Sequence, residues 1–227
     1  IRAERSHLMF SSVLSGGING MDSYIVHVEV DTSHGLPEFR MVGLLGSEVR
    51  ESRDRVHVAL KNCGIHIPPL CINVNISPAD IRKDGTGFDL PIAVGMLASL
   101  ESIPQENLND TFIVGELGLS GEIKPVKGIL PLTASAREYG MKRCIVPFEN
   151  AAEGAVIDGI DVIGVKDLTQ VLEYLMSGAE VCDDIIAPAR FDMSSLNCDH
   201  EAQEVDFADI NGQEAVKRAS EISAAGF

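Results

Sequence analysis

The 227-residue sequence has no tryptophan, and aromatic residues make up only 5% of it. Positive charge is also scarce: 18 lysines and arginines stand against 34 aspartates and glutamates, a formal net charge of -16. Because DNA affinity depends largely on cations that neutralise phosphates, the chain as a whole is not a basic nucleic-acid-binding module. No apolar run approaches the roughly 18 residues of a membrane helix, so we expect no membrane partner.

Cysteine is sparse and scattered. The five cysteines are odd in number and none has C-x-x-C spacing, so we expect neither a disulfide framework nor a structural zinc site. The six histidines form no H-x-x-x-H pair, and we therefore expect no metal site. Scattered single cysteines predict a reducing, cytoplasmic location. Residues 1–8 are charged and lack the apolar stretch of a signal peptide, and the sequence does not say whether they are a tag remnant or an extension.

What the sequence does contain is an alternation of strand and helix patterns. Alternating or β-branched segments predict strands over 24–30, 39–43, 71–76, 111–116, 143–147 and 161–165. Helical spacing of apolar residues predicts helices over 47–61, 90–100, 130–139, 167–176 and 211–225. The interleaving predicts an α/β or α+β domain, with strand 39–43 as the partner of strand 24–30.

The character of the chain changes after Gly178. Residues 9–177 are predicted to form the α/β domain, and the acidic, aperiodic residues 178–205 a linker. Residues 206–227 contain one helical pattern with no second element to pack against. We interpret them as the truncated start of a second domain.

A glycine-containing loop at 82–89 lies between a predicted strand and an apolar helix. Such a loop can present backbone N–H groups to an anion, although a tight turn that needs glycine is the more common reason for the pattern. It is not a Walker A loop, because the G-x-x-x-x-G-K-[ST] spacing is missing.

Together with later motifs, this loop resembles the proteolytic domain of Lon-type proteases. The matching segments are Lys83-Asp84-Gly85, Val114-Gly115-Glu116-Leu117 with Gly121 and Pro125, and Ile145-Val146-Pro147 with Glu149-Asn150. The resemblance implies a Ser–Lys dyad at two positions, but these are Gly87 and Leu130 here. Thr86 and Lys127 lie nearby with an offset that redirects their side chains. We therefore expect a Lon-protease-like fold, a mixed sheet with packed helices, without protease activity or catalytic residues.

Many ordered blocks also resemble the bacterial magnesium-chelatase-like AAA+ ATPase family, known as the ComM/YifB family. Examples are Val49-Arg50-Glu51-Ser52-Arg53-Asp54-Arg55-Val56, Asn73-Val74-Asn75-Ile76-Ser77-Pro78 and Gly87-Phe88-Asp89-Leu90-Pro91. The resemblance implies that the full-length protein is a ring motor, a hexamer, that uses ATP and Mg²⁺. It also implies branch migration or helicase action on DNA in natural transformation, a form of recombination. This fragment would be its N-terminal accessory domain, with no cofactor of its own.

The tail resembles the opening of an AAA+ module. The resemblance implies that Phe207, Ile210, Gly212 and Gln213 contribute part of an adenine-binding site. Without a phosphate-binding loop, this half-site should hold ATP weakly or not at all. The alternative interpretation is an amphipathic helix capped by Asp209 or Asn211.

The charged run at 50–55 has two interpretations. Mixed charges at helical spacing are typical of a solvated helix surface. The functional interpretation is a contact to DNA or to a neighbouring subunit of a ring. The candidate residues are Arg50, Arg53, Lys61, Arg82 and Lys83.

Three further hypotheses for function stay open at this point. A protein-interaction or assembly module without DNA contact suits the net charge of -16. A residual Lon-type peptidase would need a nucleophile and base that the motif positions lack. Metal insertion by a chelatase is suggested by the family name alone.

Overall fold

The computed structural model describes residues 9–20, 22–177, 186–191 and 209–226. The strands are β1 (Met9–Asn19), β2 (Asp22–Ser33), β3 (Glu38–Val42), β4 (Cys71–Ser77), β5 (Thr111–Ile113), β6 (Glu116–Leu117), β7 (Ile123–Lys124), β8 (Arg143–Pro147) and β9 (Asp161–Val165). The helices are α1 (Ser47–Asn62), α2 (Asp89–Ser99), α3 (Ile129–Glu138), α4 (Ala151–Gly154), α5 (Leu168–Met176) and α6 (Glu214–Ala224). Short 3₁₀ turns lie at Gln105–Leu108 and Phe148–Asn150.

Seven strands form one mixed sheet in the order β3-β4-β2-β1-β5-β8-β9. β2 pairs antiparallel with β1 and β4, and the other four pairings are parallel. The expected α/β class and Lon-protease-like mixed sheet with packed helices are confirmed. The strands at 39–43 and 24–30 are not neighbours as predicted, because β4 lies between β3 and β2.

Helices cover the sheet on both faces, as the alternation of buried residues along the strands requires. Val13 of β1 and Ile145 of β8 face a core built with α1, α2 and α5. Their neighbours Leu14 and Cys144 face a second core built with α3. α2 is buried at every position, which explains why its sequence shows no polar stripe.

The sequence analysis missed the long strand β1 as well as the two-residue strand β7. The sequence of β1 explains why it was missed. Its apolar and polar residues come in pairs, as in Met9-Phe10, Ser11-Ser12 and Val13-Leu14, so no alternation with a period of two is visible. It pairs with β2 along its whole length but with β5 only at Leu14, opposite Phe112. The other elements predicted for residues 47–176 are confirmed within a few residues, except that segment 111–116 divides between β5 and β6. β6 pairs with β7 in a separate small sheet across the predicted Ser120-Gly121 turn.

The chain divides into two units, Ile1–Phe191 and Asp192–Phe227. Residues 186–191, inside the predicted linker, belong to the first unit: the Ala189 N–H donates to the Val162 carbonyl of β9 at 2.7 Å. In the second unit, α6 begins three residues later than predicted. The residue at its N-cap position is Gln213, which makes no side-chain cap, and not Asp209 or Asn211 as predicted. Among the described residues, no helix combines the length and apolarity that a membrane crossing needs.

Candidate functional site

A cleft of about 330 Å³ opens where β1 and β5 separate. One wall is the end of β1, and the opposite wall is the loop that leads into α2. Its lining residues are Gly16, Gly17, Ile18, Asp84, Gly85, Thr86, Gly87, Phe88, Val114, Glu116, Pro125, Val126, Lys127 and Leu132. The loop at 82–89 and the Glu116 motif, which lie far apart in sequence, therefore meet at one site.

The backbone of the loop is fixed against the segment that follows β5. The Gly115 N–H donates to the Gly87 carbonyl at 3.0 Å, and the Leu90 N–H donates to the Gly115 carbonyl at 3.0 Å. Gly85 has a φ of +89°, as expected for a turn that needs glycine. At Gly87, an added Cβ would lie 3.1 Å from Cγ2 of Val114, so a larger side chain would have to displace that neighbour.

The hydroxyl nearest to the expected nucleophile position belongs to Thr86. It donates a hydrogen bond to the carboxylate of Glu116, at the start of β6. Leu130 is in the first turn of α3, 38% exposed, and is not among the cleft-lining residues. The proton of the cleft hydroxyl thus points to a carboxylate, whereas a Ser–Lys dyad directs it to a lysine amine.

A buried ion pair holds the end of this loop. Asp89 is fully buried at the first turn of α2 and accepts from Arg55 through Nε at 2.8 Å and Nη2 at 3.0 Å. The Leu117 N–H donates to the same carboxylate at 3.2 Å. The two-point bond to Asp89, opposed by partial burial, raises the pKa of Arg55. The pair joins α1, α2 and β6 directly behind the cleft.

Lys83 was predicted to belong to an exposed contact surface, but the structure buries it completely. Its backbone is held against the segment before α1: the Lys83 N–H donates to the Leu44 carbonyl at 2.9 Å, and the Gly46 N–H donates to the Lys83 carbonyl at 2.8 Å. Within the described residues its ammonium has no hydrogen-bond partner. Burial lowers the pKa of Lys83, and the charge of Asp80 partly offsets this effect.

The other four candidate contact residues are exposed. Arg53 pairs with Asp54 at 2.9 Å and Arg82 with Asp84 at 2.9 Å. In the described part of the chain, Arg50 and Lys61 make no ion pair or hydrogen bond through their side chains. The five predicted residues therefore do not form one continuous basic surface.

The predicted half-site for adenine is only partly described. Phe207 lies outside the described residues. Ile210, Gly212 and Gln213 precede α6 and are exposed, Ile210 by 41%. The Lys217 ammonium donates to the Ile210 carbonyl at 2.7 Å, which holds this turn against the helix.

Sequence analysis missed three parts of the site: the Gly16-Gly17 wall, Arg55 as the partner of Asp89, and Glu116 as the partner of Thr86. A signal for the second was present, because Asp89 stands inside an otherwise apolar block and a buried carboxylate needs a partner. No local signal marked the glycines. Across the described ranges, no group of three or more His, Cys, Asp or Glu side chains is placed to hold a metal ion.

The sheet, its two helical layers and the cleft behind the loop define a Lon-protease-like domain. Comparison with known families is more specific: the chain belongs to the family described as subunit ChlI of Mg-chelatase, whose model matches residues 28–150.

Individual relatives agree with this assignment. The chain is 34% identical over 217 residues to the competence protein ComM of Haemophilus influenzae, covering 94% of this chain and 41% of that protein. It is 36% identical over 207 residues to the YifB protein of Escherichia coli, covering 91% and 39%. It is 30% identical over 149 residues to Lon protease 2 of Bacillus subtilis, covering 63% and 26%. The chain thus spans about 40% of the length of its ComM and YifB relatives.

Proposed function

We propose that this chain is the non-proteolytic N-terminal accessory part of an ATP-dependent AAA+ ring motor that acts on DNA. The observation that carries the non-proteolytic part is the cleft: Gly87 stands at the expected nucleophile position, and Leu130, at the expected lysine position, is not among the cleft-lining residues. The ComM relative, a competence protein by name, supports a role in the uptake or recombination of DNA. ATP and Mg²⁺ would bind in the part of the protein beyond the accessory domain.

The motor is tested on the full-length protein encoded by the source gene. We expect ATP hydrolysis that forked DNA stimulates, and none from the 227-residue chain alone, which serves as the matched control. Size-exclusion chromatography with light scattering in the presence of ATP should then give a ring, with a hexamer expected. Absence of ATP turnover by the full-length protein would contradict the motor.

The peptidase alternative has its own test. The chain should leave casein intact under conditions in which an active Lon protease degrades it. Cleavage that persists through purification and is abolished by Thr86→Ala would establish a peptidase that uses the Thr86 hydroxyl, and the non-proteolytic assignment would fail. Thr86→Ser is the matched variant, since it keeps the hydroxyl that Glu116 accepts from.

A second candidate function is an assembly module without DNA contact. The observation that favours it is the distribution of positive charge: Lys83 is buried, and Arg53 and Arg82 are neutralised by adjacent aspartates. Of the five predicted contact residues, this leaves Arg50 and Lys61 for phosphate contacts, and two contacts give weak affinity with a shallow dependence on salt.

Binding of a fluorescent forked DNA separates the two candidates. If the accessory domain contacts DNA, the double variant Arg50→Glu/Lys61→Glu should weaken binding and reduce the salt slope by about 2, one for each lost phosphate contact. Lys142→Glu, a charge reversal at another exposed site, is the control. Unchanged binding in the double variant would favour the assembly module.

A further inference from the structure

The two edges of the seven-stranded sheet differ in what lies against them. At one edge, residues 186–191 lie against β9 through the hydrogen bond from Ala189 to Val162. At the other edge, no described residue pairs with the outer side of β3. An open edge presents unpaired backbone groups that can bind a further strand.

The backbone direction of β3 identifies those groups. The Glu38 N–H donates to the Leu70 carbonyl, just before β4 begins, so Glu38 directs its backbone toward β4. Because alternate residues of a strand bond to the same neighbour, Arg40 and Val42 do the same. The N–H and C=O groups of Phe39 and Met41 therefore point outward from the sheet edge.

The exposed side chains of this edge match those of an identical strand that runs in the opposite direction. Phe39 and Met41 pack on the core, whereas Glu38, Arg40 and Val42 are exposed. Leu36, two residues before the strand, is 88% exposed, and Val42 is 52% exposed. In either chain direction, the even-numbered positions from 36 to 42 hold an apolar residue, then two residues of opposite charge, and then a second apolar residue.

We propose that β3 of one copy of this chain pairs antiparallel with β3 of a second copy, centred on Phe39. In this register Glu38 of each copy lies opposite Arg40 of the other, and Leu36 lies opposite Val42. Cross-strand pairs of opposite charge and of apolar residues stabilise antiparallel strands. The contact is two-fold and does not depend on the proposed motor.

The outward backbone groups match in the same register. Phe39 of each copy donates to and accepts from Phe39 of the other, and the Met41 N–H of each donates to the Pro37 carbonyl. Pro37 has no N–H, so the ladder ends there. A contact this short makes a weak dimer that forms at high concentration.

Within one chain, the Arg40 guanidinium already donates to Glu38 at 2.6 Å, which lowers the pKa of Glu38. Both side chains are about half exposed, and such pairs contribute little to stability. Exchange of this pair for two pairs between copies is therefore compatible with the fold.

Sedimentation equilibrium of the 227-residue chain, from micromolar to near-millimolar concentration, tests the proposal. The average mass should rise from 24.4 kDa toward twice that value. Glu38→Arg and Arg40→Glu, each of which places like charges opposite each other, should raise the dissociation constant by about tenfold or more. The double variant, and an equimolar mixture of the two single variants, should restore association. Lys142→Glu is the control for charge reversal, and far-UV circular dichroism checks the fold of every variant.

A mass that stays at 24.4 kDa at the highest concentration would overturn the proposal. So would association that Glu38→Arg leaves unchanged, or association that neither the double variant nor the mixture restores.

Discussion

Arg53 and Arg55 stand two residues apart on α1, yet they take part in different kinds of interaction. Arg53 pairs with its neighbour Asp54, and both side chains are more than half exposed. Arg55 is only 20% exposed and binds Asp89, which is fully buried, through two nitrogens. The first pair belongs to a solvated helix surface, and the second is part of the support of the cleft.

The difference between the two pairs comes from the rotation of the helix. Residues two apart on an α-helix point in directions that differ by about 200°, so one faces solvent while the other reaches α2. A charged side chain in water keeps its hydration, but one in the interior needs a partner of opposite charge and further hydrogen bonds. The buried pair has both, since the Leu117 N–H and the Glu48 carbonyl complete it. A run of charges in a sequence therefore contains residues of very different energetic importance.

The largest effect is expected from breaking the buried pair. Asp89→Ala leaves the Arg55 guanidinium partly buried without its carboxylate and should lower the free energy of unfolding by about 3–5 kcal/mol. Urea denaturation followed by circular dichroism measures this loss. A loss below about 1 kcal/mol, the range of surface pairs, would show that the pair is no more important than Arg53–Asp54.

Replacing both partners tests whether the loss comes from the unpaired charge of Arg55. Arg55→Met with Asp89→Leu removes both charges and fills similar volume, so the double variant should be markedly more stable than Asp89→Ala alone. The Leu117 N–H still loses its acceptor, and the double variant should therefore stay below the wild type. The single variants Arg55→Met and Asp89→Leu, measured in the same way, complete a double-mutant cycle that gives the coupling between the two residues.

An intermediate effect of opposite sign is expected at Lys83, a buried charge without a partner in the described residues. Lys83→Met should raise the free energy of unfolding at pH 7 by about 1–3 kcal/mol, because it removes an unsatisfied buried donor. Arg82→Met, at the exposed neighbouring position, is the control. No gain in stability would mean that the ammonium has a partner in solution.

The same variant predicts a pH dependence with a definite sign. Since burial lowers the pKa of Lys83 in the folded protein, the unfolded chain binds more protons between that value and the ordinary lysine pKa. The destabilisation is therefore complete below the folded pKa and disappears as the pH rises toward the unfolded value. The advantage of Lys83→Met should narrow with rising pH, and a constant advantage would contradict this explanation.

The smallest effect is expected at the exposed pair. Arg53→Ala should change the free energy of unfolding by no more than about 0.5 kcal/mol, because exposed ion pairs are screened and contribute little. The same denaturation experiment at low and high salt measures it. A loss comparable to that of Asp89→Ala would mean that Arg53 has a buried role.

Much of the fold could be predicted from periodicity. β4 alternates cleanly between buried and half-buried residues, and α1 places Val49, Val56 and Leu60 on one stripe, so each was found within one residue. β1 could not be found, because its identity as a strand depends on pairing with β2 rather than on its own pattern. The cleft was only half visible, since the glycines of β1 carry no chemical signal of their own.

From the sequence came the order of most strands and helices, through local pattern, and the Lon-like class, through the resemblance of its motifs. The absence of a serine at 87 and of a lysine at 130 is a matter of residue identity. Which charges are exposed, in contrast, follows from the packing of the elements against one another. Arg55 and Lys83 read like their neighbours Arg53 and Arg82, and packing placed one in an ion pair behind the cleft and buried the other. Burial depends on which elements meet across the chain, and no local pattern records that.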